Sequence, residues 1–125
     1  MGRWAARRAM HPLPTETPRC GGRRATHIGS AGDDIIRGAS GEDVIVAKGG
    51  NDSINGDDGD DTVCAGPGDD VIWGRRGSDQ VFAGSGDDTA RGGRGDDVLR
   101  GGAGKDRCIG GHGNDTTHPT CEVRT

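Results

Sequence analysis

Ten consecutive nine-residue units of the form Gly/Ala-x-x-Gly-x-Asp-x-U-x, with U mostly aliphatic, run without a gap from Gly29 to His118. The first reads GSAGDDIIR, the fourth GDDGDDTVC and the eighth GGRGDDVLR. The fourth position is glycine in every unit, from Gly32 to Gly113. The sixth is aspartate in every unit: Asp34, Asp43, Asp52, Asp61, Asp70, Asp79, Asp88, Asp97, Asp106 and Asp115. A fixed period of this kind points to a repeat architecture in which each unit buries its apolar residues against its neighbours. One carboxylate per period points to an array of metal sites.

The 125 residues leave room for one domain, and only 29% are hydrophobic, with one Phe, two Trp and no Tyr. A conventional core needs far more apolar area to offset an ordering cost of roughly 1.5 kcal/mol per residue. Such a composition otherwise reads as disorder; the strict period argues against that, so another source of folding energy is required. The formal charge of −4 is unevenly spread. Residues 1–28 carry six Arg and one Glu, the repeats 18 acidic and nine basic residues, and 119–125 one of each. Stacked without counterions, the repeat aspartates repel one another. The chain divides into a basic, disordered leader with an N-terminal cap (1–28), the repeat (29–118) and a C-terminal tail (119–125).

Within a unit, six residues make a turn and three a strand. Glycine at position four suits a backbone with φ > 0 and a close chain approach. The closing triplets, such as Val44-Ile45-Val46 and Val71-Ile72-Trp73, are strand-like, and alternation turns their middle residue to one face. These middle residues are Ile36, Ile45, Ile54, Val63, Ile72, Val81, Ala90, Leu99, Cys108 and Thr117. One aliphatic row per strand is what a thin two-sheet solenoid can bury. Two units then form a coil, and unit n stacks on unit n+2 at about 4.8 Å.

The units resemble the haemolysin-type (repeats-in-toxin) calcium-binding nonapeptide, G-G-x-G-x-D-x-U-x. The resemblance implies an all-β fold: a right-handed parallel β-roll of about ten half-coils, with calcium held between stacked turns. It further implies that the sixth-position aspartates are the carboxylate ligands and that turn carbonyls complete each site. The chemistry agrees, because calcium takes 6–8 oxygens in flexible geometry, whereas magnesium demands stricter octahedra and zinc prefers nitrogen and sulfur. Ten units paired as n and n+2 allow at most about eight calcium sites of this oxygen-rich kind. Ala47, Ala65 and Ala83 replace the first glycine, and Ser30, Ala39, Lys48, Asp57 and Arg75 the second. Weaker sites are therefore expected in the N-terminal half, and the tightest between units eight and ten, using Asp97 and Asp115. Thr117 at a core position marks the tenth unit as a cap. The fifth-position acids (Asp33, Glu42, Asp60, Asp69, Asp87, Asp96) read as solvated carboxylates rather than ligands.

Four cysteines in a small glycine-rich chain point to disulfides and an oxidising compartment, and they allow three connectivities. Resemblance to small secreted family members implies Cys20–Cys64 and Cys108–Cys121. The competing reading is a zinc site, since Cys108, His112, His118 and Cys121 carry a loose ligand spacing. Residues 1–28 contain no apolar run of signal-peptide length, and no stretch is apolar enough to span a membrane.

The expected function is that of a calcium-ion-binding structural module, secreted or extracellular and monomeric, which folds as calcium binds. An enzyme is disfavoured, because neither G-x-S-x-G nor H-E-x-x-H occurs. The alternative is a surface-attachment fragment of a larger secreted system that binds a glycan or protein, with Trp73 and Phe82 as anchors. The leader arginines lack interleaved aromatics beyond Trp4, so a nucleic-acid partner is not expected.

Overall fold

The computed structural model describes residues 17–118 and 121–124. The chain enters through a hairpin of β1 (Arg19–Cys20) and β2 (Arg23–Arg24), followed by β3 (His27–Ile28). Each unit then contributes one strand. In order these are β4 (Ile35–Arg37), β5 (Val44–Val46), β6 (Ser53–Asn55), β7 (Thr62–Cys64) and β8 (Val71–Trp73). They continue as β9 (Gln80–Phe82), β10 (Thr89–Arg94), β11 (Val98–Arg100), β12 (Asp106–His112) and β13 (Thr116–Thr117), before β14 (Cys121–Arg124).

Strands of odd and even units separate into two six-stranded sheets, ordered β4-β6-β8-β10-β12-β14 and β3-β5-β7-β9-β11-β13. Neighbours are parallel and offset by one coil, as in Ile36↔Ile54, Ile54↔Ile72 and Val63↔Val81. This is the parallel β-roll of about five coils that the period implied. The ladder continues into the turns, where Gly56 N–H donates to the Trp73 carbonyl and Thr62 N–H to that of Asp43. Little backbone polarity is left for a thin core to bury.

That core is two files of side chains. Ile54, Ile72, Ala90 and Cys108 come from one sheet and Ile45, Val63, Val81 and Leu99 from the other, each at most 1% exposed. Ala47, Ala65 and Ala83, the first-position departures, are fully buried and belong to the same cluster. Their methyl groups extend the core where one turn edge would otherwise hold glycine.

Strand formation runs past both ends of the repeat. At the start, residues 17–28 supply the hairpin and β3, which pairs with β5; of the basic leader and cap expected over 1–28, residues 1–16 lie outside the described residues. At the end, β14 pairs with β12 through Asp106↔Cys121 and Cys108↔Val123, so Cys121–Arg124 is a strand and not a free tail. The disulfides are Cys20–Cys64, which ties the hairpin to the outer face of β7, and Cys108–Cys121, which ties β14 to the core. Both pairings agree with the family resemblance. With Cys108 and Cys121 joined, the zinc reading of those residues falls.

The invariant fourth glycine has a reason beyond its torsion. From Gly41 to Gly113 these residues hold φ between 93° and 115°. At Gly77 an added Cβ would also collide with the Gly59 carbonyl of the coil beneath, whereas at Gly41, in the first coil, it would meet nothing within 4 Å. Gly41→Ala should thus cost only torsional strain, about 1 kcal/mol, and Gly77→Ala several times more, about 3 kcal/mol or above. Denaturant unfolding of the two calcium-loaded variants measures the difference, and equal losses would show that stacking adds nothing to the torsional requirement.

Candidate metal-binding turns

Each sixth-position aspartate stands where a turn enters its strand. Asp43, Asp52, Asp61, Asp70, Asp79, Asp88, Asp97 and Asp106 are buried, at 0–6% exposure. Asp34 and Asp115, in the end units, are half-buried. From Asp52 onward one oxygen of each carboxylate has a fixed task. The Oδ1 of Asp79 accepts the N–H of Asp61 at 2.8 Å, and the same bond recurs coil by coil from Asp34 N–H on Asp52 to Asp97 N–H on Asp115.

The second oxygen is different. The Oδ2 atoms of Asp52, Asp61, Asp70, Asp79, Asp88, Asp97 and Asp106 are buried with no hydrogen-bond partner. An unpartnered buried acceptor costs about 1–3 kcal/mol, and more when charged. Burial raises the carboxyl pKa above all else, the Oδ1 hydrogen bond lowers it in part, and neighbouring carboxylates raise it again. The result is about 7 for Asp61, about 6 for Asp70 and Asp97 and about 8 for Asp79 and Asp88, against an ordinary 3.8. Asp52 is raised for the same leading reason.

Backbone oxygens share this space. The point where a Cβ on Gly56 would sit lies 2.8 Å from Asp61 Oδ2 and 3.1 Å from the Gly74 carbonyl. At Gly74 the corresponding distances are 2.5 Å to Asp79 Oδ2 and 2.7 Å to the Gly92 carbonyl. At Gly56 and Gly74 the absent side chain thus leaves a notch lined by a carboxylate from one coil and a carbonyl from the next; at Ala47, Ala65 and Ala83 a buried methyl group stands at the same position. Among the described residues no three His, Cys, Asp or Glu side chains converge on a metal-sized point. A cation in these turns would therefore take most of its ligands from the backbone. Hard oxygen donors, one buried charge per turn and no nitrogen or sulfur fit calcium and not zinc.

The first two turns depart from the pattern. Positions 48, 57, 66, 75, 84, 93, 102 and 111 all have positive φ, unlike Ser30 and Ala39. Their N–H groups turn inward and donate to Asp34 Oδ2 at 2.7 Å and Asp43 Oδ2 at 2.9 Å. Both carboxylates are thereby engaged by their own turns. The fifth position holds a second device that the sequence reading missed. Its residues are exposed as expected, yet they form their own ladder: Asp33 Oδ1 accepts from Asn51 N–H, Asn51 from Asp69, Asp69 from Asp87 and Asp87 from Lys105. A mixture of Asp, Asn and Ser at one position was the available signal, since all three are short acceptors.

A stack of oxygen-lined, glycine-built turns with buried carboxylates defines a class of metal-dependent β-rolls. The RTX calcium-binding nonapeptide repeat family matches this chain four times, over residues 28–63, 37–72, 56–90 and 82–117, and the chain belongs to it. No curated protein matches the chain.

The raised pKa values set a pH dependence for the metal-free chain. A carboxyl whose folded pKa lies above its unfolded 3.8 binds its proton more tightly when folded. Its contribution is complete below about 3.8 and is lost as pH rises through about 6–8, the folded values of Asp61, Asp70, Asp79, Asp88 and Asp97. Metal-free protein should accordingly gain β-sheet circular dichroism as pH falls from 8 to about 5. A signal that weakens on acidification would contradict the buried-carboxyl account.

Proposed function

We propose that this chain is a calcium-ion-binding structural module of the extracellular space that folds when calcium binds in its turns, without catalysis of its own. The run of seven unpartnered buried carboxylate oxygens is the observation that carries this reading. Calcium bound there supplies the positive charge that the row lacks. The ligands would be the sixth-position aspartates with turn carbonyls, up to about eight ions in all. Asp52 to Asp106 form the principal set, and Asp34, Asp43 and Asp115 the weaker ends. This moves the centre of affinity from units eight to ten toward the middle of the stack, because Asp115 is half-buried and Asp34 and Asp43 are already hydrogen-bonded.

An extracellular site of action is supported by the two disulfides, which persist in oxidising compartments. Affinities of extracellular calcium modules, roughly 10⁻⁴–10⁻³ M, leave such a chain unfolded at cytosolic calcium levels. In this reading residues 1–28 act as leader and N-terminal cap and 119–125 as C-terminal closure around a monomeric roll. Among the described residues no helix is long and apolar enough to cross a membrane.

Asp79→Asn separates a ligand from a turn acceptor. The amide oxygen can still accept the Asp61 N–H, so a purely hydrogen-bonding role would leave calcium-induced folding unchanged. A ligand role predicts a folding midpoint at about tenfold higher calcium, equivalent to about 1.4 kcal/mol. Circular dichroism and calorimetric titration read midpoint and stoichiometry; full β signal in chelator at neutral pH would sink the folding claim.

A further inference from the structure

Four of the nine basic residues in this acidic repeat gather at one corner. Arg37, Arg75, Arg76 and Arg94 line an open groove of about 470 Å³, where the outer face of β4 and β6 meets the turns of the even units. Arg37 is 3.7 Å from Asp57, and Arg75 Nε donates to Asn55 Oδ1 at 3.2 Å. Arg76 and Arg94 are backbone neighbours on successive coils. Neither guanidinium has an acidic partner among the described residues, and the two like-charged residues stem from backbones about 4.8 Å apart.

Backbone strain marks the same corner. The second turn position favours φ > 0, and glycine fills it at Gly66, Gly84, Gly93, Gly102 and Gly111. Asp57 and Arg75 hold φ of 70° and 78° there, on adjacent coils, and both line the groove. Lys48, the third such residue, is on the opposite edge. Strained non-glycine residues kept where glycine is the easy choice point to side chains in use.

Next to the groove is a second hollow of about 240 Å³, which shares Arg37, Asn55 and Arg75 and adds Trp73 and Ile35. Together the two present a cationic ridge, an aromatic face, an acceptor in Asp58 and an amide donor in Asn55. We propose that this composite groove binds an acidic oligosaccharide, whose carboxylate or sulfate groups pair with Arg76 and Arg94 and one of whose rings rests on Trp73. Guanidinium forks suit planar oxyanions, and the Trp ring suits the apolar face of a sugar. Asp58 accepts from hydroxyls, which a phosphodiester backbone does not offer in number. A nucleic acid would also call for a series of stacking aromatics, and the groove has one.

The test is isothermal titration of the calcium-loaded protein with short sulfated dextran, short oligogalacturonate, unsulfated dextran and oligothymidine. Binding is expected for at least one acidic oligosaccharide, whichever responds identifying the anion. Neutral dextran should not bind, and oligothymidine should bind at least about tenfold more weakly. Arg76→Ser with Arg94→Ser should lower affinity at least about tenfold, while Arg100→Ser with Arg107→Ser, equal in charge and outside the groove, should change it less than about twofold. Arg75→Gly gives the sharpest signature: a higher melting temperature from relieved strain together with weaker binding. Equal losses in the two double variants, or oligothymidine binding as tightly as the sugars, overturn the proposal. Circular dichroism of each variant in calcium shows whether it is folded, so a failure of calcium-dependent folding counts against the calcium reading and not against the groove.

Discussion

The fold depends on how a row of carboxylates is tolerated inside it. Stacking unit n on unit n+2 brings buried aspartates within about 5 Å of one another. At an effective dielectric near 20, two ionised neighbours repel by roughly 3 kcal/mol. Each coil carries two such rows, one per turn edge, so repulsion comes to roughly 6 kcal/mol per added coil. Against it each coil buries two aliphatic side chains, worth roughly 1.5–3 kcal/mol apiece. The two terms are comparable, and chain entropy is still to be met. A stack of ionised coils therefore has no surplus from its core. Neutralising the row removes the largest opposing term, and the raised pKa values and the unpartnered Oδ2 atoms are two expressions of that one constraint.

Most of this was legible in the residues. The nine-residue period, the aliphatic eighth position and the odd/even division determine the sheets, and the observed pairings Ile36↔Ile54 and Val63↔Val81 follow from it. The aspartates were legible as the candidate ligands. Their division of labour was not, since only coordinates distinguish an Oδ1 bound to the next coil from an Oδ2 left without a partner. Ala47, Ala65 and Ala83 were read as defects of the metal turns. They are also core residues, because the backbone at position one faces inward, and motif comparison reports only that glycine is missing.

The ends were the least legible part, since the period stops there and with it the signal. Cys121 pairs with Asp106, in the register that the next aspartate would occupy, and Val123 pairs with Cys108, in the register of the next core residue. The offset there is 15 residues where the repeat has 18. This shortened strand closes the sheet with a half-cystine, Cys121, in the register of the aspartate row. At the other end Thr26 stands in the register of Val44, and its hydroxyl accepts the Val44 N–H at 2.9 Å.

The two side-chain ladders run in opposite directions. A fifth-position oxygen accepts an N–H from the coil after it, as Asp69 does from Asp87, and a sixth-position Oδ1 accepts from the coil before it, as Asp88 does from Asp70. An interior turn thus needs both neighbours before its two consecutive N–H groups are satisfied. A terminal turn necessarily lacks one of them. Nearest-neighbour coupling of this kind makes the interior of a solenoid cooperative and its ends weak. The covalent staples lie where that weakness is greatest: Cys20–Cys64 fastens the entering hairpin, and Cys108–Cys121 the closing strand. A cross-link in the middle coils would restrain turns that two neighbours already hold, so sulfur at the ends and carboxylates between them answer the same coupling.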